Sequence, residues 1–253
     1  MMKDTIKIGD ETYYTDYEIP EDDSVIWRFL DLAKFISLLK ENALYMTRAD
    51  KFEDQFEGAV CALEDSDRYD DALTEYYSDL LEGTAVPEQL IENEHKANQL
   101  LRMNSYINCW YEGKHESMAM WRLYASGKDS KGVAIQTTVG RLKKAIGQMV
   151  EIGRINYIDY SEEWPYVNEA LWHKWLSFEY EHEVRIRIIS PTGLSNKPNS
   201  FMMLPVDLNE LIGAVYVSPM AEPWFKDVVM DILAKYGLEK PVFHSALDDK
   251  ALY

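Results

Sequence analysis

Residues 177–189 read SFEYEHEVRIRII, with Glu179, Glu181, Glu183, Arg185 and Arg187 at every second position. Tyr180, His182, Val184, Ile186 and Ile188 lie between them. Successive side chains of a strand point to opposite faces. The spacing therefore predicts one strand, with every charge on one face and the apolar residues on the other. Such a charged row is either a solvated sheet face or the floor of a polar cleft, and the pattern fits both.

The flanking sequence predicts the strands and helices around it. Val25 to Phe29 (VIWRF) reads as a buried strand carrying Arg28, and Asp31 suits the N-cap of a helix with Leu32, Phe35, Ile36 and Leu39 on one stripe. Leu44 to Thr47, Tyr106 to Tyr111, Gly132 to Thr137, Phe201 to Pro205, Ala214 to Ser218 and Val242 to His244 read as further strands. Ser117 opens a helix, Thr138 caps another, Glu169 to Phe178 reads as helical, and Pro223 to Tyr236 forms a helix stopped by Gly237. Strands and helices alternate without a regular βαβ beat. The expected fold is α+β: a mixed, largely antiparallel sheet with flanking helices, in a single domain spanning 1–253.

Between Glu64 and Glu94 the chain carries eleven carboxylates against the single Arg68, while Leu73, Tyr76, Tyr77, Leu80 and Leu81 keep helical spacing. Pro87 opens a second helix running to about Arg102. Residues 60–103 thus read as an acidic helical insertion suited to a basic protein partner.

Composition narrows the function classes. The 253 residues are 47% hydrophobic and 13% aromatic, which suits a folded core. Against 44 Asp and Glu stand 26 Lys and Arg, a formal net charge of −18, and this field repels nucleic-acid backbones at long range. No apolar run has the roughly 18 residues of a membrane helix. The N-terminal sequence lacks a signal-peptide core, so a cytoplasmic location is expected. The cysteines, Cys61 and Cys109, are too few for a disulfide framework, and the histidines lack the spacing of a helical zinc site, so no metal is expected. No GxSxG elbow, P-loop or GxGxxG occurs.

What is left is charge set in apolar context. Arg28, inside VIWRFL, needs a carboxylate, an anion or solvent, because an unpaired buried guanidinium is costly. Arg48 and Asp50, after LYMT, raise the same question. Trp121 and Tyr124, in ESMAMWRLYA, are core aromatics or a surface on which a ring can stack.

Four stretches carry a family resemblance: WRFLDLAKFISLLKENALYMTRADKFEDQFEG (27–58), NCWYEGKHESMAMWRLYASGKDSKGVAIQTT (108–138), KWLSFEYEHEVRIRII (174–189) and LPVDLNELIGAVYVSPMAEPWF (204–225). In this order they resemble the bacterial domain of unknown function 2971 family. The resemblance brings no established activity and implies a role in phage defence or stress. A more distant likeness is to one class of ADP-ribosyltransferases. These place an arginine on an early strand, a serine-threonine motif on a middle strand and a Glu-x-Glu late in the domain. Here Arg28, Thr137 with Thr138, and Glu181-His182-Glu183 follow in that order, with threonines where the motif has serine-threonine-serine.

That likeness implies NAD as substrate, with Arg28 on the pyrophosphate, Thr137 orienting the first strand or the ribose, and Glu183 with Glu181 as catalytic carboxylates. Arg185, two residues past Glu183, would pair with it. Arg48, Asp50, Trp121 and Tyr124 complete the expected nucleotide site. Two other readings stand beside it. One is a magnesium-dependent nuclease using Asp50 or Asp54 with Glu181 and Glu183. The other is a non-enzymatic sensor or interaction module in which the Glu/Arg row is a structural charge ladder.

Overall fold

The computed structural model describes residues 5–8, 11–15, 17–62, 65–81, 85–124, 131–165, 169–190, 193–195 and 197–248. A separate hairpin, β1 (Thr5–Ile8) with β2 (Glu11–Tyr14), precedes the main body. Then come β3 (Val25–Asp31), α1 (Leu32–Glu41), β4 (Ala43–Arg48), α2 (Ser66–Leu80), α3 (Glu88–Asn104), β5 (Ser105–Glu112), α4 (Met118–Tyr124), β6 (Gly132–Thr138) and α5 (Val139–Ile146). The remainder comprises β7 (Glu151–Arg154), β8 (Asn156–Ile158), β9 (His173–Trp175), β10 (Glu183–Ile189), β11 (Phe201–Pro205), α6 (Leu208–Leu211), β12 (Ala214–Val217), α7 (Trp224–Lys235) and β13 (Val242–His244). The fold is α+β, with a nine-stranded sheet whose pairs are antiparallel except β12 with β13.

Local signals set many of these boundaries. The Asp31 carboxylate accepts from the Lys34 amide at 2.8 Å and caps α1, which ends at Asn42 in the left-handed region. Thr138 caps α5 by accepting from the Arg141 amide at 3.3 Å. On one face of the sheet the apolar stripes of α1, α5, α6 and α7 bury Ile26, Leu44, Met46, Trp110, Ile135, Val184, Ile186 and Val215. On the other face, α4 lays Met120 and Trp121 over Trp27, Phe29 and Ala134.

The sheet divides at β5. One edge of β5 is fully taken by β10, from Glu183 opposite Tyr111 to Ile189 opposite Ser105. The other edge is shared. Arg48 and Thr47 of β4 lie opposite Tyr106 and Ile107, whereas Trp27 and Ile26 of β3 lie opposite Tyr111 and Glu112. Between those contacts β3 and β4 part, and Asn108, Cys109 and Trp110 face a fork. Two side chains bridge it: Asn108 donates to the Tyr45 carbonyl at 2.9 Å, and Arg28 donates to the Cys109 carbonyl.

Two expectations fail in the segment 169–189. The helix expected over 169–178 is instead a short turn (Ala170–Trp172), then β9, then a second turn (Leu176–Glu181). Ala170, Leu171, Trp172, His173 and Lys174 are buried in an unbroken run, which leaves no exposed side for an amphipathic helix. The single strand expected over 177–189 starts only at Glu183. Before it, His182 takes a left-handed conformation with φ 38°. The reason is the length of the partner. β5 ends at Glu112, whose amide donates to the His182 carbonyl at 2.8 Å, and no ladder continues beyond. The upstream amides turn inward instead, as His182 does to the Glu179 carbonyl at 3.1 Å.

Candidate functional site

Alternation along β10 points Glu183, Arg185 and Arg187 to one face, in register with Tyr111, Cys109 and Ile107. Arg187 leaves the row to pair with Glu151, its guanidinium 5.1 Å from the Trp172 ring centre. Glu183 and Arg185 form the heart of a buried polar network. The Arg185 Nε donates to Glu183 Oε1 at 2.7 Å, and the rest of that guanidinium takes both oxygens of Glu57 and the Leu171 carbonyl. Arg185 and Glu57 are both 0% exposed.

Lys174, from β9, closes the network. Its Nζ donates to Glu183 Oε2 at 2.8 Å and to Glu181 Oε2 at 2.7 Å. The other Glu181 oxygen accepts from the Tyr124 hydroxyl at 3.1 Å, linking α4 to the turn before β10. The Tyr157 hydroxyl accepts from the Glu183 amide at 2.8 Å. Tyr124 is 45% exposed while Glu181 is 7% exposed, so the network reaches solvent at the Glu181–Tyr124 end.

Delivery of Glu57 depends on Gly58. This residue has φ +71°, and a Cβ there would lie 2.6 Å from Leu171 Cδ2. The acidic loop after β4 is thereby folded against the turn before β9, and its glutamate is buried on Arg185.

Electrostatics follow from burial and pairing. Burial pushes the Glu183 carboxyl up, but Arg185 and Lys174 outweigh it and hold the group well below the usual carboxylate range. Burial, aided by the Glu183 charge, pushes the Glu57 carboxyl up against the pull of Arg185. Burial lowers Lys174, yet Glu183 more than compensates and its ammonium is held well above the usual range. Burial also raises the Cys109 thiol well above its ordinary value, which keeps it protonated and a poor nucleophile.

Arg28 stands apart. By register it starts from the opposite sheet face, opposite Ile135, and its guanidinium enters the fork. There it lies 5.9 Å from the centre of the Trp110 ring and donates to the Cys109 carbonyl. No carboxylate pairs with it among the described residues. Burial lowers its pKa, against the pull of the Glu183 carboxylate. The fork is thus where a cation from one face meets a carboxylate network on the other. Glu57, Glu181 and Glu183 are paired with Lys174 and Arg185 inside that network, and Arg28 is in none of those pairs.

The remaining expected site residues lie elsewhere. Arg48 and Asp50 form a two-pronged pair at 2.5 and 3.0 Å, and Arg48 also holds the Pro198 and Asn199 carbonyls beside the other end of β5. Trp121 is fully buried, donates to Glu116 at 2.8 Å and packs edge-on to Phe29, so it offers no stacking face. Thr137 is 3% exposed on the opposite face, its hydroxyl without a partner among the described residues. Among the described residues no three His, Cys, Asp or Glu side chains are placed to share a metal ion.

Sequence reading missed Lys174 and Glu57. Lys174 sits in LWHKWL, an apolar run in which a lone lysine calls for a buried counter-ion, and that signal was available. Glu57 had none, being one acid among several in its loop. No family model, curated protein or solved structure matches the chain. No helix among the described residues is long and apolar enough to cross a membrane.

Proposed function

We propose that this protein is a nucleotide-directed enzyme of ADP-ribosyltransferase type, with its site at the fork of the sheet. Arg28 is the anion clamp for a pyrophosphate, and the exposed Tyr124 ring is the stacking surface. The carboxylate that touches the ribose is Glu181, at the solvent end of the network, and Glu183 is the buried anchor behind it. In the reaction, the bond between ribose C1′ and nicotinamide breaks with its electron pair leaving on nicotinamide, and C1′ then bonds to an acceptor nucleophile, or to water in NAD hydrolysis, which gives up its proton to solvent. Glu181 stabilises the positive charge that develops on the ribose. Lys174 positions Glu181 and touches no substrate. A cytoplasmic setting and the defence or stress role implied by the family resemblance belong to this reading.

The observation that carries the proposal is the Arg28 guanidinium, which enters the fork, donates to the Cys109 carbonyl and has no carboxylate partner among the described residues. A structural arginine in such a place is ordinarily given a carboxylate. The test is NAD consumption by the purified protein, beside Arg28→Ala and Glu181→Gln. Turnover lost in both variants, with folding intact by circular dichroism, is the expected result. Absence of both NAD binding and turnover in the wild type overturns it.

A second reading rests on a specific observation: both oxygens of Glu183 are occupied, by Arg185 and Lys174. In that reading the network is a structural device of a non-enzymatic module. Wild-type turnover decides between the two.

A further inference from the structure

The strand β11 ends one side of the nine-stranded sheet and, among the described residues, pairs with β4 alone. Its register fixes which backbone groups that pairing uses. The Arg48 amide donates to the Ser200 carbonyl at 3.2 Å, and the Val206 amide donates to the Asn42 carbonyl at 2.9 Å. Hydrogen-bonded and non-hydrogen-bonded pairs alternate along an antiparallel ladder. Met202 and Leu204, opposite Met46 and Leu44, therefore turn their backbone groups toward β4. Phe201, Met203 and Pro205, opposite Thr47, Tyr45 and Ala43, turn theirs outward. The outward amides of Phe201 and Met203, and the carbonyls of all three residues, have no partner among the described residues. Pro205 stands where a missing N–H costs the ladder nothing.

The other ends of the sheet are guarded. β7 carries Glu151 and Arg154, and the Arg154 amide donates to the Glu18 carbonyl at 2.8 Å. β13 is three residues long. Charge, cover and shortness are the usual protections of a strand edge. β11 reads FMMLP, five residues without a charge. Phe201 is 44% exposed and stacks on Tyr45, itself 51% exposed, with ring centres 4.9 Å apart. A cavity of about 520 Å³ adjoins the same strand, lined in part by Phe201, Met202, Met203, Ser200 and Tyr106.

We infer that β11 is a docking edge for an extended segment of a partner protein, which adds to the sheet as a further antiparallel strand. The main chain of that segment exchanges hydrogen bonds with Phe201 and Met203. Its side chains fall alternately beside Phe201 and Met203 on one face and beside Met202 on the other. Basic residues flanking the segment suit a chain of formal net charge −18. A second copy of this chain brings the same charge and is disfavoured by it. A helix has no free main-chain groups along its length to offer such an edge.

The test uses the full chain and a labelled peptide in which valine and threonine alternate between paired lysines. A counterpart N-methylated at every second residue keeps the charge and the side chains but loses the amides that an added strand needs. Binding is followed by anisotropy and by amide hydrogen exchange. The unmodified peptide should bind and protect the Phe201 and Met203 amides, and the N-methylated peptide should do neither. Met203→Pro removes one outward amide and leaves the β4 ladder intact. Phe201→Lys charges the edge without touching the backbone. Each should weaken binding by about tenfold or more, with the urea midpoint nearly unchanged. Equal binding of the two peptides would mean adsorption to an acidic surface and overturns the inference. Failure of the unmodified peptide to bind, or protection confined to other amides, overturns it too. A concentration-dependent dimer of the free protein that Met203→Pro abolishes would make the edge a self-association surface, and overturns it as well.

Discussion

Replacing Lys174 with methionine tests the network most directly. Lys174 Nζ makes two charge-assisted hydrogen bonds, at 2.7 and 2.8 Å, to carboxylates on side chains that are 8% and 3% exposed. Methionine keeps the volume and removes the charge. Breaking a buried ion pair from one side costs about 3–5 kcal/mol, most of it from the carboxylate left behind. Arg185 still holds Glu183 and Tyr124 still holds Glu181, so the lower end, about 3 kcal/mol, is expected. The sign of the pH dependence follows from Glu183. Its folded pKa is depressed, so its contribution is complete above the unfolded value of about 4.3 and fades as pH falls below it. The deficit of Lys174→Met should therefore be full at neutral pH and shrink under acid conditions. Urea denaturation followed by tryptophan fluorescence, at neutral pH and stepwise down to about pH 3, reads both quantities. A loss under about 1 kcal/mol, or one that does not change with pH, refutes the reasoning.

Arg28→Met should leave the urea midpoint unchanged or higher, because the guanidinium has no carboxylate partner among the described residues to abandon; a loss above about 1 kcal/mol would make Arg28 structural. Gly58→Ala should destabilise by about 1–3 kcal/mol, since the side chain meets Leu171 and the positive φ is unfavourable; a thermal melt checks it. Thr138→Ala removes the cap of α5 and should cost about 0.5–2 kcal/mol by urea titration. Glu183→Gln should cost more stability than Glu181→Gln, because Glu183 is bound by both Lys174 and Arg185; equal losses in parallel urea titrations would place both carboxylates at the same depth.

Much of the local structure was written in short-range chemistry. Asp31 and Thr138 announced their helices because a cap needs only a carboxylate or hydroxyl three residues from the amide it accepts. The two helices of the acidic segment were legible for the same reason, with the apolar spacing of Leu73, Tyr76 and Leu80 falling on α2 and Pro87 standing at the start of α3. The strands β3, β5 and β6 were equally plain, since each is a short run of β-forming residues buried almost continuously on both faces.

The site was only half legible. Glu181, Glu183, Arg185 and Tyr124 do meet, but Trp121 and Thr137 serve the core, and Arg48 with Asp50 pins a distant loop. In SFEYEHEVRIRII the residues from Glu183 onward form the strand that alternation predicts, because β5 supplies a partner for each of them. Residues 177–181 obey the same alternation and do not form it, because β5 stops at Glu112 and the backbone must satisfy itself in a turn. Local pattern thus determined which residues could be a strand. The length of a strand some seventy residues earlier in the chain decided which of them are. It also placed Glu181 beside Lys174 at the rim, where alternation along one strand would have set it in the charged row.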